Sequence, residues 1–243
     1  MAVLRARSYI ASAYEALAKL PDIQPDFIPH WAAAVLWRLR APQIPVSGDA
    51  CREIAACLTS LGVSAQVIHV TLTIRDHSGE PVASRGADPT SGSHCVIHLP
   101  RISRFIDPVA PFVAVDFEDP HAVPFAQGQT MDGLITPVML YKPTHLLEYQ
   151  PSTLAAQHAH RHEISDPRNV RRGLILAAEV LYAIRSQGLE GRVGDYVRIR
   201  QMLDLIGSAD ILRIGNILPV FRASDGSEFS IEDLVGKVSG RSG

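Results

Sequence analysis

Residues 64–76 read SAQVIHVTLTIRD, a run rich in β-branched side chains that alternates apolar and polar positions. Such a run has the two-residue period of a half-buried strand. The turn sequence HSGE follows it at once, and Pro81–Ala83 begins a return strand, so the strand folds back on a neighbour rather than crossing over through a helix. That feature excludes most architectures, because the segments on either side carry a different period. Before it, apolar residues recur at helical spacing in residues 3–19 and in IPHWAAAVLWRLR (28–40), where Pro29 suits a first turn. The loop APQIPVSGD then leads to a third helix, capped by Ser47 or Asp49 and stopped by Gly62.

Further strands are expected in HCVIHLP (94–100) and RFIDP (104–108), joined as a hairpin, in FVAVDF (112–117), and in LITPVMLYKP and HLLEYQ within 134–149. The stretch between 117 and 133 reads as irregular. The last third returns to helices at 169–187 and 195–209, followed by a small hairpin with an Asp-Gly turn and a short helix. Helices, then an antiparallel sheet, then helices give an α+β fold rather than a doubly wound parallel sheet. The His-rich QHAHRHEISDPRN places a boundary near residue 160, separating a unit of 1–160 from a helical extension of 161–243.

Composition narrows the function. With 243 residues, 47% hydrophobic, 20% charged and a net charge of −2, the chain lacks the basic footprint of a nucleic-acid binder. No GxGxxG or GxxxxGK[ST] motif suggests a nucleotide. No run of about 18 apolar residues suggests a membrane span, and Glu15 and Lys19 interrupt the N-terminal segment where an export signal would be continuous. Three cysteines fit neither a disulfide framework nor a zinc knuckle, so the expected compartment is the cytoplasm.

The cysteines carry the chemistry. Cys51 falls in the first turn of the third helix, where free amides and the dipole favour a thiolate, and its backbone N–H is available to an oxyanion. Cys57 lies two turns deeper between Ala56 and Leu58, and Cys95 sits within a strand; both read as core. A thiol nucleophile needs an imidazole to take its proton and a third group to orient that imidazole. His94 opens one strand of the hairpin and Asp107 closes the other, so a turn near Pro100–Arg101 sets them side by side. His98 shares the face of His94 and is a rival base, but it approaches the turn. His69 alternates with the polar side of its strand and reads as a surface or partner-stacked residue. Of Trp31 and Trp37, at least one should enter the core. His158, His160 and His162 could bind zinc, although the HExxH order is absent, and Asp116, Glu118 and Asp119 read as a solvated acidic turn.

The pieces GDACREIAACLTSLGVSAQVI, SHCVIHL and RFIDP, in this order, resemble the papain-like superfamily in its transglutaminase-like and arylamine N-acetyltransferase-like branch. The resemblance spans about residues 45–115. It implies a papain-like core with Cys51 as nucleophile, His94 as general base and acid, Asp107 as orienter, and Gln43 as a side-chain contributor to the oxyanion hole. It implies no cofactor, and a peptide, protein or small amide as substrate. The tryptophan that often follows the transglutaminase-type histidine is replaced here by Val96, and the Cys-bearing helix is about a turn shorter than usual for the group. Amide hydrolysis is the first expectation; acyl transfer to an amine uses the same parts. The alternatives are a catalytically silent binding module of the same fold and a metal-dependent hydrolase using the 158–162 histidines. The apolar C-terminal helices could also form a homodimer surface.

Overall fold

The computed structural model describes residues 28–40, 47–86, 94–101, 103–109, 126–131, 134–135, 138–139, 145–151, 166–186, 210–212, 220–230 and 233. The helices expected at 3–19 and 195–209, the strand at 112–117 and the boundary near 160 lie outside them. Three helices are described: α1 (Ile28–Arg40), α2 (Ser47–Ser60) and α3 (Pro167–Ser186). Eight strands form the main sheet: β1 (Gln66–Asp76), β2 (Pro81–Arg85), β3 (His94–Leu99), β4 (Arg104–Asp107), β5 (Ala126–Met131), β6 (Leu134–Ile135), β7 (Val138–Met139) and β8 (His145–Pro151). A separate three-stranded sheet joins β9 (Asp210–Leu212), β10 (Val220–Arg222) and β11 (Glu228–Ser230).

Helix ends follow local chemistry. Gly62, at φ 84°, lets the Val63 N–H reach the Leu58 carbonyl at 2.8 Å and the Gly62 N–H reach that of Thr59 at 3.0 Å, closing α2. Asp166 caps α3 by accepting the Arg168 N–H at 2.8 Å, with Pro167 in the first helical position where its missing N–H costs nothing. Asp49 does not cap α2: it is the third helical residue and pairs with Arg52 at 2.7 Å.

Every pairing in the main sheet is antiparallel, in the order β6-β5-β4-β3-β1-β8-β7, with β2 also on β1. The two ends of the sheet approach each other, β5 touching β7 and β6 touching β8, so the sheet curls. The stretch read as irregular ends in β5, whose Gln-Gly-Gln sequence has weak strand propensity; pairing with β4 overrides it. β9 is likewise an addition to the expected hairpin of β10 and β11.

Alternation along β1, β3 and β4 divides the interior. The helix side takes Val67, Cys95, Ile97, Leu99 and Ile106, which join α1, α2 and α3 in one buried cluster that includes Trp31. The opposite side takes Val70, Leu72, Ile74, Val96, Phe105, Leu147 and Tyr149. α3 lies close against α2: a Cβ built on Gly173 would stand 2.6 Å from Ala56 Cβ and 2.7 Å from Cys57 N, so the missing side chain sets the helix separation. Among the described residues, no helix is long and apolar enough to cross a membrane.

Candidate active site

The hairpin expected from the sequence forms, with β3 and β4 in the register Ile97↔Ile106, His98↔Phe105 and Leu99↔Arg104. Continuing this register puts Val96, not His94, opposite Asp107. The two residues are therefore a diagonal pair on one face rather than directly opposed, and their side chains lean together across the ladder. His94 Nε2 meets Asp107 Oδ2 at 2.8 Å, with the imidazole almost buried and the carboxyl wholly so.

Asp107 accepts two further hydrogen bonds. The Val109 N–H donates to Oδ1 at 2.9 Å, and the Tyr149 hydroxyl donates to Oδ2 at 2.9 Å. With Asp107 as a carboxylate acceptor, Nε2 of His94 is the donor in their hydrogen bond. Tyr149 arrives from β8 through its pairing with β1, Tyr149 standing opposite Leu72, and its ring packs edge-on against Phe105 at 4.9 Å. Burial, then the Asp107 charge, push the Tyr149 hydroxyl well above its usual range, so it stays a donor at all ordinary pH values. Sequence reasoning missed Tyr149. A tyrosine on the apolar side of an otherwise alternating strand was the available signal.

Gly86 supports the same place from behind. Its φ of +80° suits glycine, and an added Cβ would stand 2.7 Å from the His94 backbone N and 2.8 Å from the Val70 carbonyl. This residue, just beyond β2, lets the chain pass close to the start of β3.

Cys51 comes from the other side of the sheet. It is the fifth residue of α2, not part of its first turn, so its own N–H falls within reach of the Ser47 carbonyl in the helical ladder. The dipole contribution expected from a helix start is correspondingly reduced, and Asp49 adds negative charge to the first turn. The thiol is fully buried and donates to the Cys95 carbonyl at 3.2 Å, one residue along from His94, rather than to the His94 ring. Burial raises its pKa well above the ordinary thiol value; Cys95 and the Asp107 charge raise it further, and Arg52 opposes them. In this arrangement burial favours the protonated Cys51 thiol, and the Asp107 charge is close enough to reinforce that.

The remaining sequence candidates fall as follows. Cys57 is buried, as expected of core, and burial raises its thiol pKa strongly. Cys95 is also buried, but its Sγ lies 3.5 Å from Nε2 of His69. His69 is therefore not a surface residue: it stands opposite Cys95 in the β1–β3 register, and the helices over that side of the sheet cover it. His98 is half-buried on the His94 side, and desolvation lowers its pKa. Gln43, the acidic turn at 116–119 and His158, His160 and His162 lie outside the described residues. Among the described residues no cluster of His, Cys, Asp or Glu could hold a metal ion.

Comparison with family models, with curated proteins and with solved structures finds no match for this chain.

Proposed function

We propose that this chain is a thiol-dependent amide hydrolase, a peptidase or amidase with a papain-like core, acting through Cys51, His94 and Asp107. The observation that carries the reading is the buried His94–Asp107 pair, with the Cys51 thiol seated against the main chain one residue further along. On this reading the thiol turns from the Cys95 carbonyl toward His94 when substrate enters. Nδ1 takes the thiol proton as sulfur bonds to the acyl carbon. Collapse of the adduct breaks the C–N bond, and His94 returns that proton to the amine. Water then attacks the thioester, giving its proton to His94, and release of the acid restores the thiol. An amine in place of water gives acyl transfer with the same residues. The substrate is a peptide, a protein or a small amide, and no cofactor enters. Free thiols at all three cysteines fit a reducing compartment, the cytoplasm.

A second reading is favoured by one observation, the complete burial of Cys51 with its raised pKa. In it the same fold is a catalytically silent module that binds a protein partner. Iodoacetamide labelling of each cysteine against pH, followed by peptide mass spectrometry, separates the two. The hydrolase reading expects Cys51 to label faster than Cys57 and Cys95, and to slow in His94→Ala. Labelling of Cys51 no faster than Cys57, or only on unfolding, removes the hydrolase and leaves the module.

A further inference from the structure

We propose that Tyr149 is a positioning residue that sets the basicity of His94 through their shared acceptor, Asp107 Oδ2. The inference rests on the reading of His94 as the proton carrier. Oδ2 receives His94 Nε2 at 2.8 Å and the Tyr149 hydroxyl at 2.9 Å, while Oδ1 is taken by the Val109 N–H at 2.9 Å. A carboxylate oxygen divides its negative charge between the donors it serves, so each donor weakens the hold on the other. Tyr149 thus restrains how strongly Asp107 stabilises an imidazolium at His94. It also fixes the carboxyl rotamer, because its own ring is held by Phe105 at 4.9 Å and lies 6.3 Å from the His94 ring.

The packing has the features of a tuned contact rather than of a filler. An apolar side chain would suit a face shared with Leu72, Val96, Phe105 and Leu147 equally well. Asp107 would then keep the Val109 N–H and His94 as its partners, and the pair would still form. Of the other titratable groups described, His98 shares the strand face of His94, Arg85 ends β2 one residue before the Gly86 that crowds the His94 backbone, and Cys51 approaches from α2. The Asp107 carboxyl takes its donors from His94, Tyr149 and Val109.

The test is the titration of the His94 ring, followed by NMR in the full chain. Tyr149→Phe keeps the ring against Phe105 and removes the hydroxyl, and it should raise the His94 midpoint by about half a pH unit or more. Asp107→Asn should move it down. Phe105→Leu, which loosens the Tyr149 ring but leaves its hydroxyl, should lower thermal stability without raising the midpoint. If Tyr149→Phe fails to fold, 3-fluorotyrosine placed at position 149 gives the opposite sign: its more acidic hydroxyl donates more strongly and should lower the midpoint. An unchanged midpoint in folded Tyr149→Phe, with Asp107→Asn still effective, overturns the proposal. A midpoint that neither variant moves overturns it too, by removing the His94–Asp107 coupling itself. A raised midpoint in a protein whose Cys51 never labels supports the tyrosine's role and counts only against the hydrolase.

Discussion

The two faces of β3 differ in what they bury. On the helix side Cys95, Ile97 and Leu99 pack against α2, and the Cys95 sulfur lies 3.5 Å from the His69 ring. On the other side, equally apolar neighbours enclose three polar side chains, His94, Asp107 and Tyr149, that satisfy one another. The first face is held by shape, with Gly173 allowing two helices to approach. The second is held by hydrogen bonds, each expensive to leave unmade in a dry interior. Cys51, the candidate nucleophile, belongs to the first face, and His94, the candidate proton carrier, to the second. They approach where Cys51 reaches the Cys95 carbonyl, at the start of the strand.

The largest effect is expected at Asp107. Asp107→Ala leaves the Tyr149 hydroxyl, the His94 N–H and the Val109 N–H without an acceptor, and should cost about 3 kcal/mol or more in urea unfolding. A loss below about 1 kcal/mol would mean that the polar face is not held by this carboxyl.

Gly86→Ala and Gly173→Ala sharpen the contrast, each at about 1–3 kcal/mol. Alanine's better helix propensity offsets about 1 kcal/mol of the second. Both crowd a neighbour below 3.0 Å, but only Gly86 adjoins His94. The His94 titration should therefore move in Gly86→Ala and stay in place in Gly173→Ala. Equal effects would erase the distinction between the faces.

Alkali should act on both. Cys51, Cys57 and Tyr149 all have folded pKa values raised above their unfolded ones. The folded state therefore holds protons that the unfolded state has released. Stability is complete below the unfolded thiol value and falls as pH rises through it, by up to about 1.4 kcal/mol per pH unit for each thiol. Cys57→Ala should flatten that slope in unfolding curves taken above pH ~9, and an unchanged slope would contradict the assignment. The smallest effect is expected at the edge of both faces: the partly exposed Arg75–Glu148 pair, 2.7 Å apart, should contribute no more than about 0.5 kcal/mol in a double-mutant cycle.

Local patterns carried much of this into the sequence. The range 28–40 of α1, the Gly62 stop, the HSGE turn at 77–80 and the β3–β4 hairpin each rest on a periodicity or a turn residue confined to a few positions. His94 and Asp107 were legible for the same reason, although their diagonal register depends on how the turn closes. Tyr149 was not, because it reaches Asp107 only through β8 pairing with β1 across more than forty residues. The position of Cys51 within α2 was misjudged by a turn, since Ser47 begins the helix earlier than the glycine beside it suggested. His69 was placed outside because alternation within β1 does not reveal that helices cover its polar side.

Cys51 and His94 come from opposite faces, and the proposed mechanism requires them to act together. Brief exposure of the folded protein to p-nitrophenyl acetate, an acid quench and peptide mass spectrometry tests it in one step. A hydroxylamine-labile acetyl group is expected on Cys51, with none on Cys57 or Cys95 and none on Cys51 in His94→Ala. No acetyl group on Cys51, or as much of it in His94→Ala as in the wild type, would contradict it.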